Sequence, residues 1–170
     1  MKRTVFSMII MLSTITLSGQ KTAVDRVFDK YSGKDGYTTV YISNFMFNMI
    51  SSLKSDDPEY NKFKKATSGI TAIKILTQNG DSSVPFVKEL LDQLPRSEYK
   101  EMMVVKDQNE EVLFLAREEK GLITEFLLIV SGSGEDALIA IQGNIDLESI
   151  ASIASGLNMP GLDNLQEFDK

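Results

Sequence analysis

The sequence predicts an α+β fold: one domain built on a mixed, mostly antiparallel sheet of about six strands, with helices packed on it and a four-stranded meander toward the C-terminal end. Three observations carry that prediction. Segments of helical spacing alternate with segments rich in β-branched and aromatic residues through the N-terminal half. From Tyr99 onward, four strand-like segments follow one another with only polar or glycine-bearing turns between them. No internal repeat, low-complexity tract or Pro/Ser/Gly-rich linker divides the chain.

Residues 1–20 read as a signal peptide that is cleaved, leaving a single domain over 21–170. Lys2 and Arg3 precede an apolar run from Val5 to Leu17, and small residues follow at Ser18 and Gly19. The run is shorter than the roughly 20 residues a permanent membrane helix needs, so a soluble, exported protein of the periplasm or extracellular space is expected. The "LSGQ" sequence resembles a lipoprotein processing site, but Gln20 stands where the lipid-bearing cysteine would be. No anchor is expected.

After the leader, Val24, Val27, Phe28 and Tyr31 fall at helical spacing, predicting a helix over Ala23 to Tyr31 that the "GKDG" at Gly33 to Gly36 ends. Tyr37 to Ser43 reads as a strand. Asn44 is expected to cap a helix to about Leu53, with Met46, Met49, Ile50 and Leu53 on one face. The polar "KSDDPEYN" leads into a short helix near Glu59 to Ala66, and Ile70 to Thr77 is the next strand. Ser82 or Ser83 should cap the following helix, with Pro85 in its first turn and Val84, Val87, Leu90, Leu91 and Leu94 as its stripe. The meander then runs through Tyr99 to Lys106, Glu111 to Glu118, Leu122 to Ser131 and Ala137 to Gln142. Asp146 is expected to cap a last helix bearing Leu147, Ile150, Ala151, Ala154 and Leu157. The crossovers through the second and fourth helices should be right-handed if the strands they join are parallel. Val112 to Ala116 and Phe126 to Val130 are apolar at every position, so both sheet faces need shielding there. Helices from the N-terminal half or the C-terminal tail would supply it; a partner surface is the alternative.

Composition removes much chemistry. The chain has no histidine and no cysteine, which excludes a Ser-His-Asp triad, a thiol nucleophile, an imidazole base and the usual zinc sites. Carboxylate, Ser/Lys and Tyr chemistry remain. Loss of Lys2 and Arg3 with the leader lowers the basic count from 18 to 16 against 24 acids, moving the net charge from −6 to −8. A phosphate backbone demands a concentrated positive field; Lys62, Lys64 and Lys65 are a small basic cluster in an acidic chain, so no nucleic-acid partner is expected.

Ser51 and Lys54 spell S-x-x-K, the spacing that places a hydroxyl and an amine on one helical turn in penicillin-interacting enzymes. Ser97 and Lys100 repeat it, and neither the S-D-N nor the K-T-G companion occurs. Asp56, Asp57 and Glu59 lack the alternation and the glycine of a calcium loop. Gly132-Ser133-Gly134 joins two strands rather than opening a helix, so it reads as a hairpin turn. Nothing selects a carboxylate pair for glycoside hydrolysis. No catalytic residue, cofactor or metal site is therefore assigned. Phe45, Met46, Phe47, Met49 and Ile50 make a helix that is apolar nearly all the way round, either sandwiched in a core or offered to a protein or peptide. Phe45, Phe47 and Met49 are the candidate partner surface, with the exposure of Phe47 deciding between core and interface.

Three passages, "FDKYSGKDGYTTVYIS" from Phe28, "MMVVKDQNEEVLFLAREEKGLITEFLLIVSG" from Met102 and "IAIQGNIDLESIASIA" from Ile139, give the chain a further character. It resembles a family of exported Bacteroidetes proteins known as domain-of-unknown-function family 4252. The resemblance spans nearly the whole chain after the leader, and "GNIDL" at Gly143 to Leu147, its most distinctive part, reads as a strand exit, a turn and then Asp146 as helix cap. It brings no catalytic residues. Some members look like lipoproteins, which Gln20 does not match, and many lie near extracytoplasmic sigma-factor genes, a pointer to envelope sensing or regulation. The expectation is a non-catalytic envelope or secreted module that binds a protein or peptide; the alternatives are a hydrolase using carboxylates or Ser51 and Lys54, and a small-ligand or lipid carrier.

Overall fold

A computed structural model describes residues 21–80, 84–132 and 136–145. Its first element is helix α1, Ala23–Tyr31, opened by a capping box. The Asp25 amide donates to Thr22 Oγ1 at 3.1 Å and the Thr22 amide donates back to Asp25 Oδ2 at 3.2 Å, so two otherwise orphaned donors are satisfied. Strand β1, Tyr37–Ser43, passes without a loop into helix α2, Asn44–Ser52. Ser43 rather than Asn44 holds the cap position, and no side-chain cap bond forms. Helix α3, Pro58–Thr67, strand β2, Ile70–Gln78, and helix α4, Phe86–Gln93, follow. A single 3₁₀ turn, Arg96–Glu98, leads into the meander: β3, Tyr99–Lys106; β4, Glu110–Glu119; β5, Leu122–Gly132; and β6, Ala137–Ile145. The β4–β5 hairpin closes through Lys120 (φ 55) and Gly121 (φ 82), successive left-handed positions that suit a two-residue turn between twisted strands.

The six described strands form one open sheet in the order β1-β2-β6-β5-β4-β3, every neighbouring pair antiparallel. The expected fold class is present, with an antiparallel rather than mixed sheet. β1 and β2 are antiparallel neighbours, so the helices between them make no handed crossover. β2 and β3 run in the same direction, but β6, β5 and β4 lie between them. The last strand extends three residues beyond the predicted Gln142, because Gly143 pairs with Ile70 and Ile145 with Ile123. The predicted final helix from Asp146, the leader and the Ser82 or Ser83 cap lie outside the described residues.

Period-two alternation divides the sheet into two apolar faces. On the first, Leu76, Leu138, Ile129, Leu113, Leu127 and Leu115 meet Val24, Val27 and Phe28 of α1 and Phe86, Val87 and Leu90 of α4. Each such side chain, buried completely, contributes about 1.5–3 kcal/mol. Tyr31, Tyr37 and Phe86 pack with their rings tilted or edge-on to one another, with centroids 4.6, 5.9 and 6.4 Å apart. Helix α4 takes its cap from a distance: the Val87 amide donates to Asp136 Oδ2 at 3.1 Å. Val84, expected on the buried stripe, precedes the helix and is exposed, while Phe86 is fully buried.

The second face carries a continuous apolar row across all six strands, Val40, Ile75, Ile139, Leu128, Phe114 and Met103. Phe47 of α2 joins this layer with Ile70, Ile73, Phe126 and Ile141. Both faces of β4 and β5 are thus shielded at their centres, as their unbroken apolar stretches require.

One ion pair ties α1 to the sheet: Lys74 of β2 bonds the Asp25 carboxylate and lies over the Phe28 and Tyr41 rings. Burial pushes the Asp25 carboxyl upward, but the Lys74 ammonium and the Thr22 cap outweigh it and hold the net value below the usual one. A carboxyl with a depressed pKa in the fold contributes stability above its unfolded value and loses it as the pH falls through the folded one. Denaturant midpoints measured from neutral pH down through the carboxylate range should therefore fall less steeply for Lys74→Met than for the parent. Parallel curves would detach this pair from the acid sensitivity.

Candidate functional site

Helix α2 places one of its nine residues in the core. It leaves β1 directly, so the strand's exit direction fixes which side meets the sheet. That side is Phe47, 5% exposed among Ile70, Ile73 and Phe126. Periodicity puts Met46, Met49, Ile50 and Leu53 on one face and Phe47 off it; in the structure Phe47 is the buried residue and, of that face, Ile50 alone is half-buried. Phe45 is 77% exposed, and Met46, Met49 and Leu53 also face solvent. Of the three candidate partner residues, Phe45 and Met49 lie on the outer surface and Phe47 is a core residue. Phe45 and Met49 are one helical turn apart, as are Met46 and Met49, so the exposed side chains adjoin. The C-terminal end is held by α3, whose Tyr60 hydroxyl donates to the Ile50 carbonyl and, at 3.1 Å, to that of Leu53.

The other candidates are dispersed. Helix α2 ends at Ser52, so Lys54 lies beyond it and does not share a helical turn with Ser51. Asp56 and Asp57 are exposed. Among the described residues no group of three acidic side chains is arranged to hold a metal ion. Gly132 ends β5, and Ser133 and Gly134 lie outside the described residues.

A polar constellation that sequence reasoning missed crosses the first face, on the other side of the sheet from α2 and in the same row of paired residues as Ser43 at the end of β1. Glu125 of β5 is fully buried. It accepts from the Tyr99 hydroxyl of β3 and from Gln142 Nε2 of β6 at 2.8 Å, and Arg117 Nη2 of β4 lies 3.5 Å away. Arg117 also sits 5.8 Å from the Tyr99 ring centre and 3.7 Å from Glu98. Burial and the bond to Glu125 drive the Tyr99 phenol strongly upward, so it stays protonated and donating. With both carboxylate oxygens engaged, Glu125 links four strands. The signal was available: Glu125 is an acid in a strand of otherwise apolar or hydroxyl residues, and the hairpin register sets it opposite Arg117.

A second polar cluster joins the helices over that face. Glu89 of α4 accepts from the Tyr31 hydroxyl at 2.9 Å, Lys30 at 2.6 Å and Gln93 at 3.1 Å. Burial, then the bond to Glu89, pushes the Tyr31 phenol up to about 12. Arg26 completes it, donating to Gln93 at 3.0 Å and to the Lys21 carbonyl at 2.6 Å. These bonds dock α1 on α4.

Comparison with known proteins bears on this arrangement in two ways. No curated protein matches the chain. Residues 31–153, from the end of α1 to beyond β6, match the family described as a domain of unknown function, DUF4252, and so take in β1 to β6, α2 and the Glu125 constellation. Spanning most of the sequence, that match establishes that the chain belongs to the DUF4252 family.

Proposed function

We propose that this chain is a non-catalytic envelope or secreted module that binds a protein or peptide through the outer side of α2. The observation that carries the reading is the disposition of that helix: nine residues, one of them in the core, with Phe45, Met46 and Met49, and Leu53 just past its end, left in water. Contiguous apolar surface on a folded domain marks contact sites. Methionine suits such a surface because its unbranched, polarisable side chain repacks against different partners. The leader expected over residues 1–20 and the sigma-factor gene neighbourhood that the family resemblance implies favour a role in envelope sensing.

Phe47 is unsuitable as a probe, since a charge there enters the core. Phe45→Asp is the informative change. It should shift stability by no more than about 0.5 kcal/mol while removing most cross-linking from a photoreactive residue placed at Met49 in the producing cell. Equal cross-linking yields with and without Phe45→Asp would dismiss this face as the contact.

A further inference from the structure

We infer that strand β3 opens as a unit separate from the rest of the sheet, and that the Tyr99–Glu125 bond is its latch. Among the described strands β3 lies at the edge of the sheet, with β4 as its single neighbour. Every residue from Lys100 to Lys106 is exposed, including the apolar Met102, Met103, Val104 and Val105 at 36–50%. The strand therefore gains little from burial, and its ladder to β4 is itself interrupted between Glu101 and Met103. The ion pairs Lys100–Glu118 and Lys106–Glu111 are solvent-exposed and hold weakly. The opposite edge differs: Tyr37 of β1 packs into the first-face core and Ile42 into the second.

What fixes β3 is its first residue. Tyr99 is partly buried against the first-face core, lies beside the Arg117 guanidinium and donates to a carboxylate two strands away. Segments with few buried contacts and exposed backbone bonds open below the global unfolding free energy. β3 meets that description everywhere except at Tyr99.

Native-state amide exchange on the full chain separates a local opening from global unfolding through two variants. Tyr99→Phe removes a contact absent from both the β3-open and the unfolded states, so exchange at the β3–β4 ladder and in β5–β6 should both accelerate by about tenfold, the factor carried by one hydrogen bond to a charged group. Val24→Ala weakens a core contact that the β3-open state retains. It should accelerate β5–β6 exchange and leave the β3–β4 amides unchanged, and those amides should also exchange with a much weaker urea dependence. Equal acceleration of both sets by Val24→Ala would show that β3 opens only with the whole fold. Unchanged β3 exchange in Tyr99→Phe would remove the latch.

Discussion

Gly143→Ala is expected to destabilise the fold by about 3 kcal/mol or more, the sum of backbone strain and a steric collision. Gly143 sits at φ 139, a region closed to residues with a side chain. A Cβ there would also strike the Gly69 carbonyl and lie 2.8 Å from Ile70 Cα and Thr71 N, all backbone atoms with nowhere to retreat. The approach is close because β6 crosses the start of β2 where their register shifts, with the Asn144 amide donating to the Gly69 carbonyl at 2.8 Å. Gly121→Ala is the control. Its φ of 82 is the milder strain, near the left-handed helical range, and a Cβ meets nothing within 4 Å, so only about 1–2 kcal/mol applies. Equal unfolding midpoints for the two variants would mean that the close crossing costs nothing. The result bears on "GNIDL", the passage that most distinguishes the resemblance, because its glycine is a packing requirement rather than a strand exit.

Arg117→Met should be the second large effect, costing about 3 kcal/mol, because it leaves the buried Glu125 carboxylate without its cation. Tyr99 and Gln142 would still donate to it, but neither carries charge. Glu119→Gln, at the exposed 4.0 Å edge of the same arginine, should move stability by less than about 0.5 kcal/mol. The double variant Arg117→Met, Glu125→Leu should lose clearly less than the sum of its single losses, since two residues of one network are coupled. Chemical denaturation of the set decides. Strict additivity would mean that Arg117 and Glu125 act independently despite their proximity.

The two variants fall on opposite sides of what could be read in advance. Ala23–Tyr31 and Tyr37–Ser43 are legible to the residue, because helical spacing and β-branched runs are local signals. The Arg117–Glu125 pairing was implicit in the β4–β5 register and went unread. Gly143 reads locally as a strand exit, because nothing local reveals that another backbone passes there.

Helix α2 shows the boundary most sharply. Its residues are apolar on nearly every side, so periodicity has no contrast from which to choose a buried face. The uninterrupted passage from β1 makes that choice, turning Phe47 inward and Phe45 outward. Likewise, the cap of α4 comes from Asp136, a residue 49 positions away. By itself the sequence determined the described elements, the α+β class and the absence of imidazole and thiol chemistry. Only the tertiary structure decided that β6 inserts between β2 and β5, which side of α2 meets water and where a buried charge is neutralised. Those outcomes depend on contacts between residues far apart in the chain, and local patterns of polarity do not encode them.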